Sequence, residues 1–152
     1  MWSSDGGRGL IADPIGQKKH PKNVVEAQFS MPFGAAIALL TGTAGLSVFT
    51  NEWLHDSRVH ELMQRVECHS SPELDAYYPV EWRASASVRL TDGREFSANV
   101  RYALGDPHNP LSWEQLEARF HELVAPVIVE GRKREELIEK VRELDNLEKI
   151  AW

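Results

Sequence analysis

The most apolar stretch of the chain runs from Met31 to Leu40 and contains no polar side chain. A helix on a protein surface shows a polar stripe along its whole length, so this stretch must be covered on most of its sides. The pattern around it predicts a helix over about 24–40. Pro32 either kinks that helix or marks a break in it, because proline lacks the amide donor and clashes with the preceding turn. Gly42 suits the C-terminal end of the helix.

Two short helices are predicted next, within the stretch "FTNEWLHDSRVHELMQRVE". Thr50 or Asn51 is expected to cap the first helix and Asp56 the second, since these side chains accept hydrogen bonds from free backbone N–H groups. The apolar stripe of the second helix consists of Val59, Leu62, Met63 and Val66.

Alternating apolar and polar residues predict two half-buried strands on either side of Asp92 and Gly93. A two-residue loop would pair Leu90 with Glu95 and would place the two apolar sets on opposite faces. A three-residue loop pairs Val88 with Phe96 and keeps one apolar face, with Gly93 in the left-handed region. The apolar positions are Trp82, Ala84, Ala86, Val88 and Leu90, then Phe96, Ala98, Val100 and Tyr102. A lone hairpin is marginally stable, so we expect further strand pairing around 66–69.

The C-terminal part predicts two more helices. Ser112 and Gln115 form a capping box at the start of the first, and the second extends over about 132–143. The residues expected to face inward are Leu116, Phe120 and Leu123, then Leu137, Ile138, Val141 and Leu144. Helices and an antiparallel pair that are segregated along the chain indicate an α+β fold, a small sheet containing a hairpin packed with helices. We expect a loose entry segment over 1–20 and one α+β domain over 21–152.

Composition and charge narrow the functional classes. The 152 residues are 42% hydrophobic and 26% charged, which fits one ordinary globular domain. The net charge is -6 and no large Lys/Arg cluster occurs, so nucleic acid and anionic membranes are not expected partners. The apolar stretch is shorter than the roughly 20 residues that span a bilayer. The N-terminus lacks the order of a signal peptide, and a single cysteine agrees with a reducing, cytoplasmic location.

Residue chemistry alone reveals no complete active site. His55 and His60 lie about 140° apart round a helix, so they do not share a face as a zinc pair would, and we expect no metal and no cofactor. Cys68 adjoins His69, but neighbouring residues of a strand point to opposite faces, which favours a small buried thiol over a nucleophile. The carboxylates sit on helix faces, where pairing in solvent is the ordinary explanation.

Four segments, in order and spacing, resemble the C-terminal domain of the MmgE/PrpD family: "PKNVVEAQFSMPFGAAIALLTG", "HDSRVHELMQRVE", "VRLTDGREFSANV" and "GDPHNPLSWEQLEARFHEL". The resemblance covers Pro21 to Trp152. It implies a lyase or isomerase of the kind that includes 2-methylcitrate dehydratase, cis-aconitate decarboxylase and iminodisuccinate epimerase. Such proteins act on small di- and tricarboxylates, which sit between a large helical domain and a smaller α+β lid.

The resemblance also implies that the acid and base residues lie in the helical domain and in a stretch before the part seen here. The chain would then be a truncated product, a separately encoded half or an expressed fragment. Phe29 and Phe33 stand where relatives carry histidine or tyrosine, so no polar contribution is expected there. Gln28 and Ser30 remain as candidate substrate-binding residues at the start of the buried helix, where free N–H groups would receive a carboxylate. The alternative is that both simply satisfy the helix end.

Two functions from different classes follow. The first is a part of a 2-methylcitrate dehydratase-like lyase that is inactive alone. The second is a non-catalytic module that dimerises or docks onto a helical partner through the surface of 31–40. The expected partners are the helical domain or a second copy of the chain, together with a small carboxylate substrate.

Overall fold

The computed structural model describes residues 2–3 and 9–146, which divide into two compact units, 1–110 and 111–152. The first unit combines helices with a four-stranded sheet, which confirms the α+β class. Its strands and helices are β1 (Trp2–Ser3), α1 (Ile15–Lys18), α2 (Val24–Gln28), α3 (Met31–Thr41), α4 (Asn51–Leu54), α5 (Ser57–Arg65), β2 (His69–Ser70), α6 (Pro72–Asp75), β3 (Ala84–Arg89) and β4 (Glu95–Val100). A 3₁₀ helix, Leu46–Val48, follows α3.

The predicted first helix is interrupted between Gln28 and Met31, which gives α2 and α3. Pro32 lies in the first turn of α3, where its missing N–H has no intrahelical role, so the proline marks a new helix and not a kink. Ser30 caps α3 by accepting a hydrogen bond from the Phe33 N–H at 3.1 Å. Gly42 ends the helix at φ 76°, in the left-handed region that favours glycine, as predicted.

The two short helices that follow have the predicted caps. The Thr50 hydroxyl accepts a hydrogen bond from the Trp53 N–H at 3.4 Å, at the start of α4. The Asp56 carboxylate accepts one from the Arg58 N–H at 2.8 Å, at the start of α5. Val59 and Met63 are fully buried, so the predicted stripe of α5 faces the core.

The core of the first unit is built by its helices around α3. Phe33 lies at its centre, with its ring 5.7 Å from that of Phe49. On the outer side of α3, Leu39 remains 53% exposed. The apolar stretch is therefore covered on one side by α5 and open on the other. The buried core residues are Ala27, Phe33, Ala36, Ile37, Val48, Leu54, Val59 and Met63.

The sheet has the strand order β2-β1-β3-β4. β1 is parallel to β2 and antiparallel to β3, so the expected extra pairing near 66–69 exists, but it reaches the hairpin through β1. In the hairpin Val88 lies opposite Phe96, and the Leu90 N–H donates to the Arg94 carbonyl at 2.8 Å. Gly93 has φ 89°. The three-residue loop and its register are confirmed.

The prediction of half-buried apolar residues is confirmed for β3, where Ala84, Ala86 and Val88 are half-buried, and is wrong for β4. Phe96 is 56% exposed, and all six residues of β4 are exposed. The core residues of the described part of the chain include none from β3 or β4, because the helices of this unit pack around α3. Period-two alternation thus gave the correct face of each strand without showing what covers it.

The second unit contains α7 (Trp113–Val124), α8 (Gly131–Arg142) and a 3₁₀ helix, Leu144–Asn146. Both hydrogen bonds of the predicted capping box are present. The Ser112 N–H donates to the Gln115 side chain, and the Gln115 N–H donates to the Ser112 hydroxyl. Leu116, Leu123 and Val141 are exposed. The prediction that these three side chains face inward is therefore wrong within the second unit. Two short helices offer each other too little surface to enclose such side chains.

The segment expected to be a loose entry contains α1 and the buried Ala12. The domain boundary at residue 21 stays a prediction. Among residues 2–3 and 9–146, no helix is long and apolar enough to cross a bilayer.

Candidate functional site

Ser30, one of the two predicted substrate-binding residues, is only 4% exposed. Its hydroxyl accepts from the Phe33 N–H and donates to the Lys18 carbonyl at 2.5 Å, so its donor is already engaged. The hydroxyl thereby joins the end of α1 to the start of α3. This arrangement favours the alternative in which Ser30 satisfies the helix end.

Gln28, the other predicted residue, is exposed at the last position of α2. The backbone turns between Gln28 and Ser30, which places one side chain at the surface and the other inside. Only Gln28 is therefore accessible to a ligand. Its role in substrate binding stays a prediction.

An open pocket of about 410 Å³ is formed by residues that precede Gln28 and Ser30 in the sequence. It is lined by Gly16, Gln17, His20, Lys22 and Glu26. Glu26 is held in place, because its carboxylate accepts from the Lys22 N–H at 2.9 Å and from the Asn23 amide at 3.1 Å. Lys22 and His20 supply nitrogen donors, and an ammonium group is attractive to an anion. The pocket thus has the donor chemistry for one carboxylate of a small acid.

A cluster of polar side chains surrounds Glu81, which is 6% exposed. Arg101 donates to its carboxylate from Nη2 at 2.6 Å and from Nε at 3.0 Å. Arg83 donates at 2.5 Å and the Tyr102 hydroxyl at 3.2 Å. The hydrogen bonds from Arg101, then those from Arg83, lower the pKa of Glu81 from its usual 4.5 to about 2. A carboxylate held in this way is a poor proton acceptor.

Aromatic rings support the two arginines. The Arg83 guanidinium lies 3.3 Å from the centroid of the Tyr77 ring, and that of Arg101 lies 4.9 Å from the Tyr102 ring. Tyr102 stacks in turn on His108, with a centroid separation of 4.6 Å. We call the group Glu81, Arg83, Arg101 and Tyr102 the Glu81 clasp. It ties the segment before β3 to the segment after β4, at the open end of the hairpin.

Sequence reasoning missed the Glu81 clasp. Glu81 and Arg101 are 20 residues apart with both strands of the hairpin between them, and no periodic pattern links residues at such a distance. The usable signal was the hairpin register, which brings the residues flanking β3 and β4 side by side once the loop length is known.

Metal ligation finds no support in the part of the chain that the structure describes. No group of three or more His, Cys, Asp or Glu side chains within 2–3 and 9–146 lies close enough to hold an ion. His55 bonds through Nδ1 to the Asn51 carbonyl of its own helix at 2.7 Å. Cys68 is half-buried, where the sequence predicted a buried thiol.

Comparison with known proteins identifies one family. The sequence model of the MmgE/PrpD C-terminal domain matches residues 10–144, which is most of the chain and includes the pocket, the hairpin and both C-terminal helices. The match begins inside the segment that we expected to precede the domain. No curated protein sequence matches the chain significantly.

Proposed function

Because the chain belongs to the MmgE/PrpD C-terminal domain family, we propose that it is the C-terminal portion of a lyase acting on small di- and tricarboxylates, 2-methylcitrate dehydratase-like in its chemistry. We further propose that it is inactive alone and works together with a helical domain, supplied by another chain or by a further segment of the protein. The expected compartment is the cytoplasm.

The observation that carries this proposal is the family match over 10–144 together with the chemistry of the described residues. The buried carboxylate of Glu81 is neutralised by two arginines and has a lowered pKa. Abstraction of a proton next to a carboxylate needs a positioned base whose pKa lies near the working pH. Glu81 is therefore unsuited to that role, and we propose that the helical domain supplies the base.

The substrate contact that this chain contributes is proposed to lie at the pocket beside α2. Lys22 and His20 line it and would bind one carboxylate, and Gln28 offers an exposed amide at the end of the same helix. Ser30 contributes by fixing the start of α3 relative to α1. Glu26 opposes an anion, but both of its oxygens accept hydrogen bonds from neighbours.

The test is an absorbance assay for alkene formation from 2-methylcitrate and for decarboxylation of cis-aconitate. We expect no turnover by the chain alone and turnover when a separately expressed MmgE/PrpD helical domain is added. In that mixture Lys22→Ala should raise KM with little change in kcat, while Lys133→Ala, an exposed lysine of α8, should change neither. Turnover by the purified chain alone would contradict the proposal, as would a mixture that neither binds nor reacts.

A second candidate function is a docking or dimerisation module without catalysis. It is favoured by the exposed apolar side chains of Val25 on α2, Leu39 on α3 and Phe29 between the two helices, which we call the α2–α3 apolar surface. In this function the helical partner or a second copy covers that surface, and no substrate is turned over in any combination. Binding of the helical domain without turnover would support this candidate over the lyase.

A further inference from the structure

Strand β4 forms one edge of the sheet, and in the described part of the chain no strand lies beyond it. The Leu90 N–H donates to the Arg94 carbonyl, so these two residues form a hydrogen-bonded pair. Such pairs alternate along an antiparallel ladder, so Phe96, Ala98 and Val100 also direct their backbone groups towards β3. The N–H and C=O groups of Glu95, Ser97 and Asn99 therefore point away from the sheet.

This edge lacks most of the usual protection against pairing, and its one charged residue is Glu95 at the start of the strand. Natural edge strands are shielded by proline, lysine, bulges or short length. β4 is six residues long, is fully paired on its inner side without a bulge, and contains neither lysine nor proline. All six of its residues are exposed. An open edge of this length is a template for one more strand.

We propose that the partner of this edge is β4 of a second copy of the chain, paired antiparallel about a two-fold axis at Ala98. Two copies of β4 can pair with their apolar residues on one face, because apolar and polar residues alternate strictly along the strand. A two-fold axis at any residue keeps Phe96 and Val100 on the same face in both copies. An axis between two residues would bring Phe96 opposite a polar residue and is excluded.

Any axis at a residue satisfies both the parity and the outward backbone groups, and the axes at Ser97 and Ala98 pair the most residues of β4 with the second copy. With the axis at Ser97, Phe96 faces Ala98 of the second copy and Glu95 faces Asn99. With the axis at Ala98, Phe96 faces Val100 of the second copy and Glu95 faces Arg101, the residue directly after β4. Opposite charges and large apolar pairs stabilise facing strands, so the axis at Ala98 is preferred.

The exposure of the Arg101 side chain supports this register. Its guanidinium bonds to Glu81, yet its side chain remains 61% exposed, so further donors are open to a second carboxylate. Glu95 is also accessible, because its contact with Arg89 is long, at 3.7 Å, and exposed. The polar face of the paired strands would then carry two Glu95–Arg101 contacts related by the two-fold axis.

The test is a set of single cysteines in the full chain with Cys68→Ser. Facing side chains at a two-fold axis are close enough for a disulfide, and this register places only Ala98 there. We expect Ala98→Cys to form a covalent dimer of twice 17.2 kDa under mild oxidation, while Ser97→Cys and Ala86→Cys do not. Cross-linking of Ser97→Cys instead would overturn the register, and cross-linking of Ala86→Cys would indicate stacked apolar faces.

A charge variant tests the same interface without oxidation. Glu95→Lys places like charges opposite Arg101 and should weaken dimerisation by roughly tenfold in light scattering or sedimentation. Arg89→Ala removes the contact of Glu95 within the chain and should leave the dimer unchanged. Leu39→Asp, on the α2–α3 apolar surface, should also leave it unchanged. A strictly monomeric chain at tens of micromolar, with native circular dichroism, would overturn the proposal.

Discussion

The Arg101 guanidinium donates two hydrogen bonds to the buried Glu81 carboxylate across the open end of the hairpin. A buried carboxylate is stable in the ionised form only when hydrogen bonds and opposite charges replace its lost water. Arg83 and Tyr102 supply the remaining donors. The Glu81 clasp therefore fixes where the chain enters β3 and leaves β4, and its integrity depends on the charge of one carboxylate.

The first prediction concerns acid sensitivity. Because the pKa of Glu81 is lowered in the folded state, its contribution to stability is present above its unfolded value near 4.5 and is lost as the pH falls towards 2. Glu81→Gln should lower stability at neutral pH and flatten the decline of stability between those two values. Denaturant unfolding at a series of pH values measures both effects. Glu52→Gln, an exposed carboxylate of α4, is the control and should retain the wild-type profile.

The second prediction compares two glycines. Gly93 has φ 89°, a conformation that side-chain-bearing residues adopt with strain, so Gly93→Ala should destabilise the chain by about 1 kcal/mol and Gly93→Val by more. Gly34 lies within α3, and a methyl group there would meet no atom within 4 Å. Gly34→Ala should therefore stabilise by about 0.4–1 kcal/mol. Thermal unfolding in which Gly93→Ala is neutral or stabilising would contradict the assignment of Gly93 to the left-handed turn position.

The third prediction concerns the cap of α3. Ser30→Ala removes the acceptor for the Phe33 N–H and the donor to the Lys18 carbonyl, so it should cost about 1–2 kcal/mol of unfolding free energy. Ser87→Ala, on an exposed position of β3, is the matched control and should change stability by less than about 0.5 kcal/mol. Chemical denaturation of the three proteins decides the comparison. Equal stability of all three would mean that Ser30 is not a structural cap.

Local features were predictable from the sequence because their causes lie within a few residues. The hairpin register followed from parity alone, since only one loop length places Val88 opposite Phe96. The capping box of Ser112 and the end of α3 at Gly42 followed from side chains that complete a helix terminus.

Burial and long-range polar contacts were not predictable in the same way. Periodicity identifies which side of β4 is apolar, but not whether another layer covers it, and Phe96 is in fact exposed. The Glu81 clasp joins residues from two loops, so no local pattern announces it. The two predicted substrate-binding residues, Gln28 and Ser30, do not lie on one surface. The break between α2 and α3 exposes Gln28 and buries Ser30, and periodicity did not predict that break.

The last prediction separates the two sides of α3. Phe33 is fully buried in the core, so Phe33→Ala should cost about 3–5 kcal/mol of unfolding free energy. Leu39 lies on the exposed side, so Leu39→Asp should change stability by no more than about 0.5 kcal/mol. The α2–α3 apolar surface is nevertheless proposed to dock the helical domain, and a carboxylate at position 39 would be buried in that contact without a partner. Leu39→Asp should therefore abolish binding of a separately expressed helical domain in calorimetry, while Glu61→Gln on the exposed surface of α5 should leave binding intact. Unchanged binding by a stable Leu39→Asp protein would show that the partner covers another face.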